Sequence, residues 1–312
     1  MVLVLLSLWC HRHVKQYRCL NGLRIGTVLC LLCVCVTLPP PASAGPHLRV
    51  MTYNVAGGSV NQRLPLELML RQRPDLVLLQ EVRGAAHVEW LGQHLGLAYW
   101  RFAPYRQQRG GVAILSRWPL GPAHVLPWHN SPEGRLAVAA QVESPAGRFW
   151  ACSAHLDNPF PRKAFPTLWH KVLVLWREFF TTTQRTQEAQ ALSAWLLHLG
   201  GDDGIIGGDF NSLPLARADR HLRQYFEDAL STHWRQYFTG TYWALRRSPL
   251  RPRIDFVYHS PRWQVVEAQV IQHKASDHFP VLAVFSPPVK ESEALAPLYD
   301  QEPLSGLARH WL

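Results

Sequence analysis

What constrains this chain most is a series of short apolar runs that stop, again and again, at a turn or at a polar residue. LRVMTYNV (48–55), DLVLLQE (75–81), GVAILS (111–116), LAVAAQVE (136–143) and RFWACSAHL (148–156) read as strands. GIIGGDFN (204–211), RIDFVY (253–258), WQVVEAQVI (263–271) and FPVLAVF (279–285) continue the series. The turn SPAG joins two of them as a hairpin, and Gly57-Gly58 marks a turn after the first. Helical patterns are fewer. Residues 85–96 end at Gly96, and residues 184–200, with Ala191, Trp195 and His198 on one face, end at Gly200-Gly201. Residues 61–72, with leucines at 64, 66, 68 and 70, fit a helix or a strand. Strands outnumber helices, some as hairpins and others alternating with helices. This predicts an α/β (α+β) four-layer sandwich, two packed mixed β-sheets flanked by helices, and not a doubly wound nucleotide fold. A hydrophobic content of 47% with 13 Trp is ample for one large domain over 45–286. The tail 287–312 lacks sustained periodicity and is expected to be mobile.

Chemistry-bearing residues gather where these strands end. Asn54, Glu81, His155, Asp209 with Asn211, Asp255, and Asp277-His278 all take such positions, where a rigid scaffold can present a side chain into a cleft. The carboxylates of Glu81, Asp209 and Asp277 and the amide oxygens of Asn54 and Asn211 are the hard donors that Mg²⁺ takes. Two histidines and a metal can activate a water and neutralise phosphoryl charge, the two needs of phosphate-ester hydrolysis. Taken singly, Asn54 fits a turn, Glu81 a solvated strand end and Asp209 an Asx turn. Asp255 is different: an acid inside RIDFVY is costly unless paired, and His278 is the natural partner. Zinc is disfavoured, since the set lacks a zinc-type spacing and is rich in oxygen donors. His87, His94, His198 and His221 fall in helical stretches, where packed or solvated roles are expected.

In order along the chain, TYN (52–54), QE (80–81), GVAILS (111–116), SAHL (153–156), GDFN (208–211), RID (253–255) and SDHFP (276–280) resemble the motifs of the endonuclease/exonuclease/phosphatase superfamily. The resemblance spans about residues 48 to 286. It implies a divalent cation, Mg²⁺ or Mn²⁺, with Glu81 a direct ligand, Asn54 beside it and Asp277 completing the metal site. It implies that Asp209 and Asn211 orient the attacking water and contact phosphate. Asp255 would fix the tautomer of His278, the general base, and His155 would contact the scissile phosphate. The implied activity is that of a phosphoric ester hydrolase, a phosphodiesterase or nuclease first, and separately a monomer is expected. A non-catalytic binding protein on the same fold is the contrasting class, against which the intact acid and histidine set argues.

The amino terminus reads as an address. A basic stretch from His11 to Arg24 precedes an apolar run, Thr27 to Leu38, and then Ala42-Ser43-Ala44, which matches a signal-peptidase site. The run is about 18 Å long as a helix, short for a span of about 30 Å. Cleavage after Ala44 and export, periplasmic or secreted, are expected; a retained membrane anchor over 1–44 is the alternative. Cys10, Cys19, Cys30, Cys33 and Cys35 lie in this segment, which leaves Cys152 alone in the body and excludes an internal disulfide there. The net charge of +10 includes Arg12, Lys15, Arg18 and Arg24 from the same segment. The remaining modest surplus suits a polyanionic substrate or an anionic membrane surface.

Substrate class stays open between nucleic acid and phospholipid. A histidine in SAHL resembles the secreted nucleases and lipid hydrolases of the superfamily, and RPRIDF departs from the inositol-phosphate 5-phosphatase pattern. The stretch from Asn158 to Thr183 mixes Arg162, Lys163, Lys171 and Arg177 with Phe160, Phe165, Trp169, Trp176, Phe179 and Phe180. Such a mixture can stack single-stranded nucleic acid, lie on a membrane interface, or form a helix packed on the sheet edge.

Overall fold

A computed structural model of the chain describes residues 47–56, 62–159, 168–243 and 251–287. The expected leader over 1–44, the Gly57-Gly58 turn and the tail beyond Pro287 lie outside the described residues. The strands are β1 (Leu48–Asn54), β2 (Leu76–Val82), β3 (Tyr99–Pro104), β4 (Gly111–Ser116), β5 (His124–Pro127) and β6 (Leu136–Ser144). They continue as β7 (Gly147–His155), β8 (Gly204–Asp209), β9 (Glu227–Asp228), β10 (Asp255–His259), β11 (Gln264–Val270) and β12 (Val281–Ser286). The helices are α1 (Arg63–Gln72), α2 (Ala85–Leu95), α3 (Leu168–Phe180), α4 (Gln184–His198), α5 (Arg217–Leu222) and α6 (Trp234–Tyr237). The ambiguous stretch 61–72 is thus helical. It ends at Arg73 in a left-handed conformation (φ 48°), without the glycine that marks a helix end in sequence.

The strands form two six-stranded mixed sheets, in the orders β11-β12-β1-β2-β4-β3 and β5-β6-β7-β8-β10-β9. Each sheet has a parallel pair at its centre, β1 with β2 and β7 with β8, and antiparallel neighbours outside. Inward-facing residues of both sheets form one core: Val50, Leu76, Leu78 and Ile114 meet Val138, Ala151, Ile205 and Val257. The outer face of the first sheet packs Met51, Val77 and Leu79 against Leu66, Met69, Val88 and Leu91 of α1 and α2. The outer face of the second packs Cys152, Ala154 and Ile206 against Ala189, Leu192 and Leu196 of α4. The four layers expected from the sequence are therefore present. Helix α4 buries that edge and turns Ala191 and His198 outward.

Parallel central pairs bring strand ends together. Because β1 runs with β2 and β7 with β8, Asn54 sits opposite Gln80 and His155 opposite Asp209. Strand β10 runs against β8, so its first residue, Asp255, also pairs with Asp209. Between the sheets, the apolar core gives way toward this end to a polar layer. Gln80 Nε2 donates to Ser153 Oγ at 3.0 Å, and Ser153 Oγ donates to the Leu79 carbonyl at 2.9 Å. Gly207 belongs to that layer because there is no room for a side chain. A Cβ there would lie 2.7 Å from Leu78 Cδ1 and 2.8 Å from Thr52 Cβ on the facing sheet.

Candidate active site

The period-two alternation of the strands decides which residues line the cleft. Asn54 continues the inward set of Val50 and Thr52; His155 that of Ala151 and Ser153; Asp209 that of Ile205 and Gly207. Asp255 precedes the inward Val257 by two. All four are buried. By the same alternation Glu81 belongs to the outer face, with Gln80 inward. The register of β2 against β4 breaks between Leu79 and Val82, and Glu81 takes φ 56°. This irregularity turns its carboxylate to the cleft, where Asn54 Nδ2 donates to Glu81 Oε1 at 3.3 Å and to Asp209 Oδ2 at 3.0 Å. A left-handed glutamate is a strained conformation that the surrounding contacts must hold.

Two histidines approach the same oxygen of Asp209. His155 Nε2 lies 3.2 Å and His278 Nε2 3.7 Å from Asp209 Oδ2. His278 Nδ1 is 2.8 Å from Asp255 Oδ2, so the buried acid in RIDFVY has a buried partner. The Asp255 backbone N–H donates to Thr241 Oγ1 at 3.1 Å. Burial by itself pulls the His278 pKa down, but the charges of Asp255 and Asp209 outweigh it and hold it up at about 10. Burial pushes the Asp255 carboxyl up, opposed by His278. For Asp209 burial also pushes upward, and there His278 and His155 prevail, keeping it below the usual carboxylate range.

The remaining predicted residues flank this centre. Asn211, at φ 47°, donates its amide to the Leu156 carbonyl at 3.0 Å and its backbone N–H to Asp209 Oδ1 at 3.0 Å. Asp277 is half-buried and accepts from Ser276 Oγ at 3.2 Å, while the same hydroxyl donates to the Asn54 carbonyl at 2.8 Å. Thus all eight predicted positions meet at one end of the sandwich. Arg117, at the other end of β4, pairs with Asp75 at 2.8 Å.

The sequence reading missed Tyr105 and Arg135. The buried Tyr105 hydroxyl accepts the Glu81 backbone N–H at 3.1 Å and lies 2.6 Å from His155 Nδ1. If the hydroxyl gives its own proton to Nδ1, a neutral imidazole at this position carries its proton on Nε2, toward Asp209. Arg135 is buried; it donates to the Leu156 carbonyl at 2.7 Å and pairs with Glu133 at 2.5 Å. Tyr105 follows β3, whose half-exposed residues carry no clean alternation, so no local pattern singled it out.

A model of the Endonuclease/Exonuclease/phosphatase family matches residues 51–278, the interval that carries every one of these side chains. The chain belongs to that family. No curated protein matches it. Among solved structures, the endonuclease/exonuclease/phosphatase from Beutenbergia cavernae DSM 12333 is 20% identical, with 78% of this chain and 72% of that one covered and a TM-score of 0.59. An AP endonuclease from Archaeoglobus fulgidus is 18% identical, covering 77% and 99%, at 0.57. D. rerio TDP2 complexed with a single-strand DNA product is 16% identical, covering 78% and 100%, at 0.56. At these identities the likeness is one of fold.

The family implies a divalent cation, and the donors of this chain fit one. Glu81, Asp209, Asp255 and Asp277 bring four carboxylates to the cleft. Among the described residues the nearby cations are His278 and Arg135, and Arg135 is already paired with Glu133. The uncompensated negative charge and the oxygen-rich donor set suit a hard cation. Asp209, Asp255 and His278 do offer ligand atoms within 4.8 Å of one another. Asp255 Oδ2 and His278 Nδ1, however, are used on each other at 2.8 Å. Asn54, expected from the sequence to offer its amide oxygen, instead accepts the Ala56 N–H on Oδ1 at 3.0 Å and turns Nδ2, which cannot ligate, to Glu81 and Asp209. The carboxylates of Glu81, Asp209 and Asp277 are therefore the better cradle.

Proposed function

We propose that this chain is an exported phosphodiesterase dependent on Mg²⁺ or Mn²⁺, with nucleic acid as the first substrate class to test. The observation that supports it best is the convergence of His155 and His278 on Asp209, beside the Asn54–Glu81 contact. In this reading Glu81 and Asp277 would hold the cation, with Asn54 Nδ2 steadying the Glu81 carboxylate; the cation would supply neutralisation of phosphoryl charge and a more acidic water. Asp209 and Asn211 orient the attacking water. With Asp255 holding Nδ1–H, His278 would accept the proton of the attacking water at Nε2, and a cation bound nearby would favour the neutral imidazole this requires. His155 directs Nε2–H at a phosphoryl oxygen, where negative charge grows in the transition state. Export rests on the leader-like segment 1–44 alone.

A second reading, hydrolysis of a phospholipid diester, is favoured by the exposed apolar surface of α3 described below. The test is cleavage of single-stranded DNA, duplex DNA, RNA, sphingomyelin and phosphatidylinositol with Mg²⁺, Mn²⁺ or EDTA, with His278→Ala as control. Metal-dependent cleavage of one class, lost in the control, is expected. Folded protein that cleaves none of them, nor a chromogenic diester, sinks the phosphodiesterase reading.

A further inference from the structure

Helix α3 carries its polarity the opposite way to a helix of a soluble domain. Trp169, Val172, Leu173, Trp176 and Phe180 follow the spacing that places residues on one face. That stripe meets solvent: Trp169 is 79% exposed, Leu173 51%, Trp176 53% and Phe180 64%. Among the residues of α3 whose burial is described, the one buried is an acid. Glu178 is 3% exposed, pairs with Arg185 of α4, and accepts from Thr183 Oγ1 at 3.2 Å. No described residue of α3 enters the three apolar clusters of the fold. Glu178 is paired, but a contiguous stripe of tryptophans and aliphatic side chains turned outward is unfavourable in water. It is favourable if an apolar phase covers it. The helix packed on a sheet edge, one expectation for this stretch, is therefore not what forms.

The stripe is also placed and charged for a particular neighbour. Arg185 Nη1 donates to the Asp157 carbonyl at 3.3 Å while its other nitrogen holds Glu178, so α3 is one guanidinium away from the loop that follows His155. The Asp157 N–H donates to Glu188 Oε2 at 3.0 Å, pinning the first turns of α4 to the same loop. At the carboxyl end of α3, exposed Arg220 donates to the Phe179 carbonyl at 2.7 Å and the Leu215 carbonyl at 2.6 Å. This sets the exposed Leu215 beside the stripe. Exposed Arg177 adds a second cation. Aromatic rings and aliphatic side chains edged by arginines suit the headgroup layer of an anionic membrane. Thirteen residues make a helix of about 20 Å, which lies on a bilayer and does not cross it. Among the described residues no helix is long and apolar enough to cross.

We propose that α3 docks the protein on the interfacial layer of an anionic phospholipid bilayer and holds the mouth of the cleft against it. The docking stands on the helix alone; its purpose, presenting headgroup phosphodiesters, rests on the phosphodiesterase reading. The full chain is mixed with vesicles of phosphatidylcholine and phosphatidylglycerol that carry a photoactivatable phosphatidylcholine. Lipid adducts are then mapped by mass spectrometry, so attachment through the amino-terminal segment reads out separately. The expected result is adduct formation within 168–180. It should fall at least tenfold in Trp169→Glu/Trp176→Glu and weaken when phosphatidylglycerol is omitted. Hydrolysis of bis(p-nitrophenyl) phosphate by the double variant should match wild type, which shows it folded. Wild-type chain without adducts in 168–180 overturns the proposal. So does lipid-free self-association that the double variant abolishes, or cross-linking of α3 to single-stranded DNA in place of lipid. Adducts in 168–180 from a wild type that hydrolyses no diester leave the docking standing and sink the phosphodiesterase reading.

Discussion

Replacing Tyr105 by phenylalanine removes one oxygen and takes a partner from two groups at once. The hydroxyl is the acceptor for the Glu81 N–H at 3.1 Å and the neighbour of His155 Nδ1 at 2.6 Å, both inside the fold. Phenylalanine keeps the ring and its packing, so the cost comes from two polar groups left unpaired. Each such loss costs about 1–3 kcal/mol, which gives about 2–6 kcal/mol when little relaxes. The functional loss has a separate origin. Glu81 sits in a left-handed conformation that its N–H bond to Tyr105 helps to hold, and His155 loses the donor that fixes its tautomer. A shift of about 1 Å in catalytic groups costs on the order of 100-fold. Urea unfolding at neutral pH should show the stability loss. Steady-state hydrolysis of bis(p-nitrophenyl) phosphate with saturating Mn²⁺ should show kcat lower by about 10- to 100-fold. A Tyr105→Phe protein within about 0.5 kcal/mol of wild type and with unchanged kcat would refute the role given to this hydroxyl.

Other side chains give sharper single readouts. Asp255→Asn removes the largest charge that holds the His278 pKa up at about 10. Its imidazole should titrate lower by NMR, and kcat should drop on the order of 10³- to 10⁴-fold; an unshifted titration contradicts the pairing. Because His278 is raised in the folded state, its stabilisation is complete below its unfolded pKa and is lost as pH rises toward about 10. Thermal unfolding of metal-free protein should therefore show Tm falling over that range, and less so in His278→Gln. Glu81→Gln should raise the Mn²⁺ concentration needed for half-maximal activity by about 10- to 100-fold, and EDTA should abolish wild-type turnover; an unchanged metal requirement removes Glu81 from the cation site. Burial raises the Glu188 carboxyl to about 7 from 4.5. Stability from this group is present below 4.5 and lost by about 7, on the order of 3 kcal/mol. Urea midpoints of Glu188→Gln should be flatter across that window than those of wild type.

Although β3, β5 and β9 carry no pattern that marked them, the sequence by itself determined nine of the twelve described strands, the four layers and most of the cleft. These follow from local rules: alternation assigns a face to each strand residue, and the apolar flanks of Asp255 require a partner for it. The same alternation carries Asn54, His155, Asp209 and Asp255 onto inward faces, so these positions are readable from residues two and four apart. Glu81 was named from its place after LLQ, yet alternation alone sends Gln80 to the cleft. Only the break in register between Leu79 and Val82, with φ 56° at Glu81, exchanges them. Tyr105 and Arg135 became visible only once β3 and the loop before β6 were placed, because neither lies in a periodic run. Helix α3 shows the same limit. Its stripe is plain in the spacing of Trp169, Leu173, Trp176 and Phe180, but spacing does not say which way a stripe faces. That was decided by the contact of Glu178 with Arg185, and by a second sheet already covered by α4. Periodicity is a property of neighbouring residues and is written in sequence. Orientation depends on which surfaces remain uncovered after distant segments have packed, and only the tertiary structure supplies that.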